Sequence, residues 1–213
     1  MEWLQKYWIF GLGFAAQFLF AIRLVTQWIQ SEQEGKVLSP VIFWQVSLIA
    51  GFMFLVYGIF RDDVVIIAGQ IPSIIIYIRN LQLKNAWKKI SILFRFSVIV
   101  LPFIAVAWIT FGSTHGWQDL VSNNEFTNPL LILGGIGQVL LSFRFVYQWY
   151  YSEKMKASVL PLGFWIISVV GSALVIIYAV YRRDPVLFLA SCLGLFIYFR
   201  NILIEKRSPS DVL

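Results

Sequence analysis

Seven runs of about 20 predominantly apolar residues, centred near residues 20, 50, 72, 101, 140, 171 and 193, leave this chain few ways to fold. Each run is long enough to cross a hydrocarbon layer roughly 30 Å thick as a helix rising about 1.5 Å per residue. In hydrocarbon the backbone must satisfy its own polar groups, and a single segment does so only as a helix. Composition agrees: 59% of residues are hydrophobic and 13% charged, a balance soluble domains do not show. The expected fold class is therefore all-α, a polytopic membrane protein with seven transmembrane helices. The first run reads as a retained helix, because no small-x-small cleavage site follows it. A single cysteine, Cys192, excludes an internal disulfide, and a single histidine, His115, argues against a protein-only metal site. No cofactor is expected. The net charge of +6 invites a nucleic-acid reading, but the cations are unevenly placed. With alternating spans, eleven Lys and Arg fall on one side and four on the other, a positive-inside bias that sets the N-terminus outside and the C-terminus inside. The charge reports topology, so no nucleic acid is expected as a partner.

An internal repeat organises the runs. Residues 12–80 align without a gap on residues 133–201 at a constant offset of 121, with 22 of 69 positions identical. The identities include Gly13 and Gly134, Arg23 and Arg144, Gln27 and Gln148, Ser31 and Ser152, Glu32 and Glu153, Asp63 and Asp184, and Tyr77 and Tyr198. Each repeat holds three runs, and an odd number would invert a directly joined second copy. The unmatched run at residues 91–111 restores the orientation. The expected plan is two parallel three-helix-bundle repeats, residues 8–83 and 129–204, joined by a linker helix and outer loop (84–128) and followed by a cytoplasmic tail (205–213). SWEET sugar transporters are built on the same 3+1+3 plan, although the Pro-Gln pair that marks them is not found here; the parallel is one of architecture.

Helical arithmetic then places the polar residues. At 100° per residue, Gly13, Gln17, Arg23, Gln27 and Ser31 share one sector of about 120°, repeated by Gly134, Gln138, Arg144, Gln148 and Ser152. Tyr77 and Asn80 lie on one stripe of the third helix, matched by Tyr198 and Asn201, and Trp44 with Ser47 is matched by Trp165 with Ser168. An arginine within hydrocarbon costs at least about 2.5–3.5 kcal/mol, and such charges mark pathways or sites. A planar guanidinium with five donors suits phosphate. Arg23 and Arg144 are thus the expected phosphate ligands, with Gln17, Gln138, Gln27, Gln148, Asn80 and Asn201 as polar contacts. Tyr77, Tyr198, Trp44 and Trp165 would supply hydroxyls and stacking walls. The bland alternatives are snorkelling for the arginines and an interfacial belt for the tryptophans. Arg79 and Arg200, on the reverse of the third-helix stripe, are read as snorkelling to headgroups. No inward carboxylate pair and no Ser-His or Cys-His arrangement points to an enzyme.

The repeated pattern Q-x-x-x-x-x-R-x-x-x-Q-W-x-x-S-E at residues 17–32 and 138–153, P-x-x-F-W at 40–44 and 161–165, and Y-x-R-N at 77–80 and 198–201 resembles the lipid A biosynthesis N-terminal domain family, also called the lipid-A-disaccharide synthase N-terminal domain. The resemblance covers about two thirds of the chain. It implies a flippase in the bacterial inner membrane that moves an undecaprenyl-phosphate-linked sugar between leaflets for lipid A or envelope glycan modification. The implied partners are that polyprenyl-phosphate glycolipid, membrane lipids and glycosyltransferases of the same pathway. Two other functions compete: a SWEET-like uniporter of a soluble sugar, and a non-transporting membrane partner of a lipid A glycosyltransferase that docks it through the basic edge from Lys84 to Arg95.

Overall fold

A computed structural model describes residues 2–112, 129–183 and 185–207. The described residues form seven α-helices: α1 (Glu2–Glu34), α2 (Val41–Phe60), α3 (Val64–Leu83), α4 (Ile92–Phe111), α5 (Pro129–Met155), α6 (Leu162–Arg182) and α7 (Pro185–Arg207), with a short 3₁₀ turn at Trp87–Lys89 before α4. Each helix falls on one of the seven apolar runs. Six of them, all but α5, are long and apolar enough to cross a membrane. At 27 residues, or about 40 Å of helix, α5 has the length as well. The chain is an all-α, multi-pass membrane protein.

The helices gather into two compact units. The first comprises Met1–Arg23 with Val41–Asn123, and the second Leu24–Pro40 with Asn124–Leu213. The second therefore contains all of repeat 2 together with the last turns of α1. In the first unit α2 packs on α3 and α4, and α1 meets α2 through edge-on ring pairs, Trp8 with Phe60 and Phe20 with Phe54. In the second unit α6 is sandwiched by α5 and α7. There the last turns of α1 lie against α7, where Trp28 meets Phe196 edge-on at 5.3 Å.

Helix ends follow from local chemistry. The Asp63 carboxylate caps α3 by accepting from the Ile66 amide at 2.9 Å, leaving one fewer orphan N–H. The cap expected of Asp184, and the outer loop carrying His115, lie outside the described residues. Left-handed backbone recurs at the repeat offset: Gly35 (φ 66°) pairs with Lys156 (φ 52°), and Asp62 (φ 54°) with Arg183 (φ 52°). Only Gly35 adopts this conformation without a Cβ clash. Lys156→Gly is therefore expected to raise stability by about 0.5–1 kcal/mol, the relieved strain outweighing the lost exposed contact with Glu153. A lower unfolding midpoint in detergent would contradict this.

Small residues set a close helix crossing in the second unit. A Cβ built on Gly137 would lie 2.9 Å from the Gly171 carbonyl oxygen, and one on Gly171 would lie 3.0 Å from that of Gly137. Here α5 and α6 touch backbone to backbone, the approach that small residues permit in membranes.

Candidate functional site

Each unit buries one arginine among the same kinds of neighbour. In the first, Arg23 is 4% exposed; its Nη1 donates to Ser47 Oγ at 2.7 Å and to Tyr77 OH at 3.1 Å. Its guanidinium carbon sits 4.6 Å from the Phe20 ring centre, 5.3 Å from that of Phe43 and 5.5 Å from that of Tyr77. In the second, Arg144 is 7% exposed, and its Nη1 donates to Ser168 Oγ at 3.1 Å. The rings around it are Phe145 at 5.0 Å, Phe164 at 5.3 Å and Tyr198 at 5.0 Å. Ser47 and Ser168, Phe43 and Phe164, and Tyr77 and Tyr198 are repeat mates. The remaining ring comes from different places: Phe20 has Leu141 as its mate, and Phe145 has Leu24. Both guanidiniums are held by cation–π contacts and neutral hydroxyls. Neither arginine snorkels to a surface.

The Nε of each arginine is buried without an acceptor, and the boxes differ in the hydroxyls they offer, Ser47 and Tyr77 to Arg23 but only Ser168 to Arg144. Among the described residues Arg144 has no carboxylate partner, and its Nε is buried without an acceptor. The indole Nε1 of Trp165, a fully buried residue whose ring packs 6.1 Å from Tyr198, also lacks an acceptor there. A buried cation with idle donors is electrostatically incomplete, and the group that completes it is an anion with several acceptor oxygens.

The expected amide ligands separate into two groups. Gln27 and Gln148 are buried and clamp the loop that follows their helix. Gln27 Nε2 donates to Ser31 Oγ and the Leu38 carbonyl, while the Leu38 amide returns to Ser31 Oγ. Gln148, Ser152 and Val159 repeat that pattern at the same offset. Gln27 also exchanges amide hydrogen bonds with Asn201, at 2.9 and 3.2 Å. Asn80 and Asn201 are buried, each donating to a carbonyl one turn back. Gln17 and Gln138, by contrast, lie on exposed faces. Trp44 and Trp165 are fully buried against Phe43 and Phe164 rather than forming an interfacial belt. Arg200, expected to reach toward headgroups, instead bonds the Glu32 carboxylate, because the end of α1 lies against α7.

Sequence reasoning left three groups out of the site. Ser47 and Ser168, which hold the guanidiniums, share a face with Trp44 and Trp165 and repeat at the offset, so their signal was present. Phe43 and Phe164 carried the same signal. The Leu38 and Val159 carbonyls carry none, since a backbone acceptor has no residue type.

A family model described as Lipid A Biosynthesis N-terminal domain matches the chain twice, at residues 12–82 and 133–203. The two matches are themselves separated by 121 positions, the offset of the internal repeat. The chain is 30% identical over 213 residues to a lipid-A-disaccharide synthase of Chlamydia pneumoniae, covering 95% of this chain and 35% of that protein. With the lipid-A-disaccharide synthase of Chlamydia muridarum the identity is 28% over 214 residues, covering 94% and 34%. The chain thus spans about a third of the length of the curated relatives it matches. No solved structure matches it.

Proposed function

The chain belongs to the lipid A biosynthesis N-terminal domain family, and from that premise we propose that it is a translocase carrying an undecaprenyl-phosphate-linked sugar across the bacterial inner membrane, with its N-terminus outside. The observation that supports this most is Arg144: a cation buried on α5, held among the described residues only by rings and a serine hydroxyl, with a donor left over. A phosphate would complete that arrangement with charge-assisted, partly bidentate hydrogen bonds. A lipid carrier brings such a phosphate to membrane depth, whereas a soluble neutral sugar brings none. The role requires binding and release of a headgroup and no bond-making step, so the protein is proposed to act without catalysis.

The test is a leaflet-sidedness assay on the purified protein in liposomes loaded with a panel of polyprenyl-phosphate sugars. A membrane-impermeant glycan-modifying reagent reads the outer leaflet. Protein-dependent appearance of at least one glycolipid outside, lost in Arg144→Ala, is the expected result. Equal rates with and without protein across the panel would sink the proposal.

A second reading, a non-transporting membrane module for a lipid A glycosyltransferase, draws on one observation. The relatives it matches are proteins named lipid-A-disaccharide synthase, of which this chain covers about a third. Headgroup translocation by the purified chain alone decides against that reading.

A further inference from the structure

Outside the arginine boxes, the first unit holds a groove of about 240 Å³ between α1 and α2, lined also by Ile66 of α3. Its walls are the rings of Phe10, Phe14, Phe54 and Tyr57, and Gln17 reaches into it. Gln17 lies nine residues into the membrane-spanning part of α1, which begins at Trp8, or about 13 Å along the helix. Among the described residues neither the Gln17 amide nor the Tyr57 hydroxyl has a hydrogen-bond partner. Idle amide and hydroxyl groups at membrane depth are costly unless something supplies partners.

Comparison of the two repeats separates what the fold needs from what it does not. The close approach of Gly13 to Tyr57, where an added Cβ would lie 2.9 Å from the ring, recurs as Gly134 against Tyr178. Gln17 recurs as Gln138. The aromatic walls do not recur: Phe14 and Phe54 have Gly135 and Val175 as their mates. Gly134 and Tyr178 approach as closely without those rings, so the aromatic lining is not what sets the Gly13–Tyr57 contact.

Phe20 links the groove's wall to the first arginine box. Phe54, stacked on Tyr57, meets the edge of Phe20 at 6.1 Å, and Phe20 carries the Arg23 guanidinium at 4.6 Å. Along α1, Gln17 and Arg23 are six residues apart, about 9 Å. A groove of this size lies below the roughly 300–1,000 Å³ of sites that take drug-sized ligands, so it admits one ring rather than an oligosaccharide. A prenyl chain would gain nothing from the amide or the phenol.

We propose that this groove is a glycosyl subsite that takes the single sugar ring of a polyprenyl-phosphate sugar. Phe10, Phe14 and Phe54 face its C–H surfaces, and Gln17 and Tyr57 bond its hydroxyls. This rests on the translocase reading and adds to it the part of the protein that senses the sugar.

The experiment compares binding of two probes, undecaprenyl phosphate and undecaprenyl-phosphate hexoses, to the full chain in nanodiscs. Gln17→Leu removes an exposed amide and Phe14→Leu an exposed ring, so both are compatible with folding. Each is expected to raise Kd for the preferred glycosylated probe at least tenfold while leaving the bare carrier unchanged, and Gln138→Leu is expected to change neither. The inference alone is overturned if both variants bind both probes as the unmodified protein does, if they lose both probes equally, or if the bare carrier binds as tightly as every glycosylated one. If the unmodified protein binds neither probe, the translocase reading falls and the subsite with it.

Discussion

Arg144→Met is expected to leave the protein as stable as before, within about 1 kcal/mol, while weakening binding of polyprenyl-phosphate probes at least a hundredfold. The two halves have separate causes. Stability is spared because the guanidinium is a poorly compensated guest in its unit: it holds one hydroxyl and three ring faces, and Nε idles. Cation–π contacts and a single hydrogen bond return about what burying the charge costs, so an unbranched apolar side chain that fills the same space loses little. Ser168 is not stranded, since its hydroxyl also donates to the Phe164 carbonyl at 2.6 Å. Binding is lost because, among the described residues of the second unit, no other buried cation could take over a phosphate. Unfolding midpoints in detergent and probe titrations in nanodiscs measure the two halves separately. Destabilisation by about 3 kcal/mol or more, the cost of removing one partner from a true buried pair, would make Arg144 a structural pin instead.

Gly171→Ala is expected to destabilise the second unit by about 1–3 kcal/mol, a large effect for one methyl group. The new Cβ would meet the Gly137 carbonyl at 3.0 Å and the Leu141 side chain at 3.0 Å. Leu141 can rotate aside, but a helix backbone cannot, so α5 and α6 must separate. Separation also loosens the Arg144–Ser168 contact, which spans the same pair of helices. The repeat mates of Gly137 and Gly171 are Ala16 and Ala50, both fully buried, so the corresponding residues in the first unit carry methyl groups without penalty. Ala50→Gly should accordingly cost stability by leaving a void, opposite in mechanism to Gly171→Ala. If Gly171→Ala unfolds at the same temperature as the unmodified chain, the close crossing is not a determinant of stability.

Much of the site was legible from residue order. Arg23 and Arg144 stood out as charges inside apolar runs, and helical arithmetic put them on polar sectors that the structure buries from the arginines to Ser31 and Ser152 but leaves exposed at Gln17 and Gln138. Tyr77 and Tyr198 face them from the stripe of the third helix, and Trp44 and Trp165 pack on those tyrosines. The partners of the amides were less legible. Gln27 and Gln148 share the arginine sector, yet their donors go to loop carbonyls, which no pattern of side chains reveals. Gln17 lies in that same sector, but the groove it occupies exists only because Gly13 lets Tyr57 approach and Phe14 and Phe54 flank it.

Sequence alone determined the number of helices, their membrane length and the twofold repetition at offset 121, because hydrophobic length and helical period are properties of consecutive residues. It also determined which face of each helix is polar. Tertiary structure decided the rest. It divided α1 at Arg23, placing the following turns with α7, so that Gln27 meets Asn201 and Glu32 meets Arg200. It supplied the third ring around each arginine from different positions, and it left the donors of Arg144 idle. The physical reason is that apolar helix faces are almost equally at ease against lipid or against one another. Which faces meet is therefore settled by small residues, ring shapes and buried hydrogen bonds acting across many turns of chain, and these become visible only when the helices are packed.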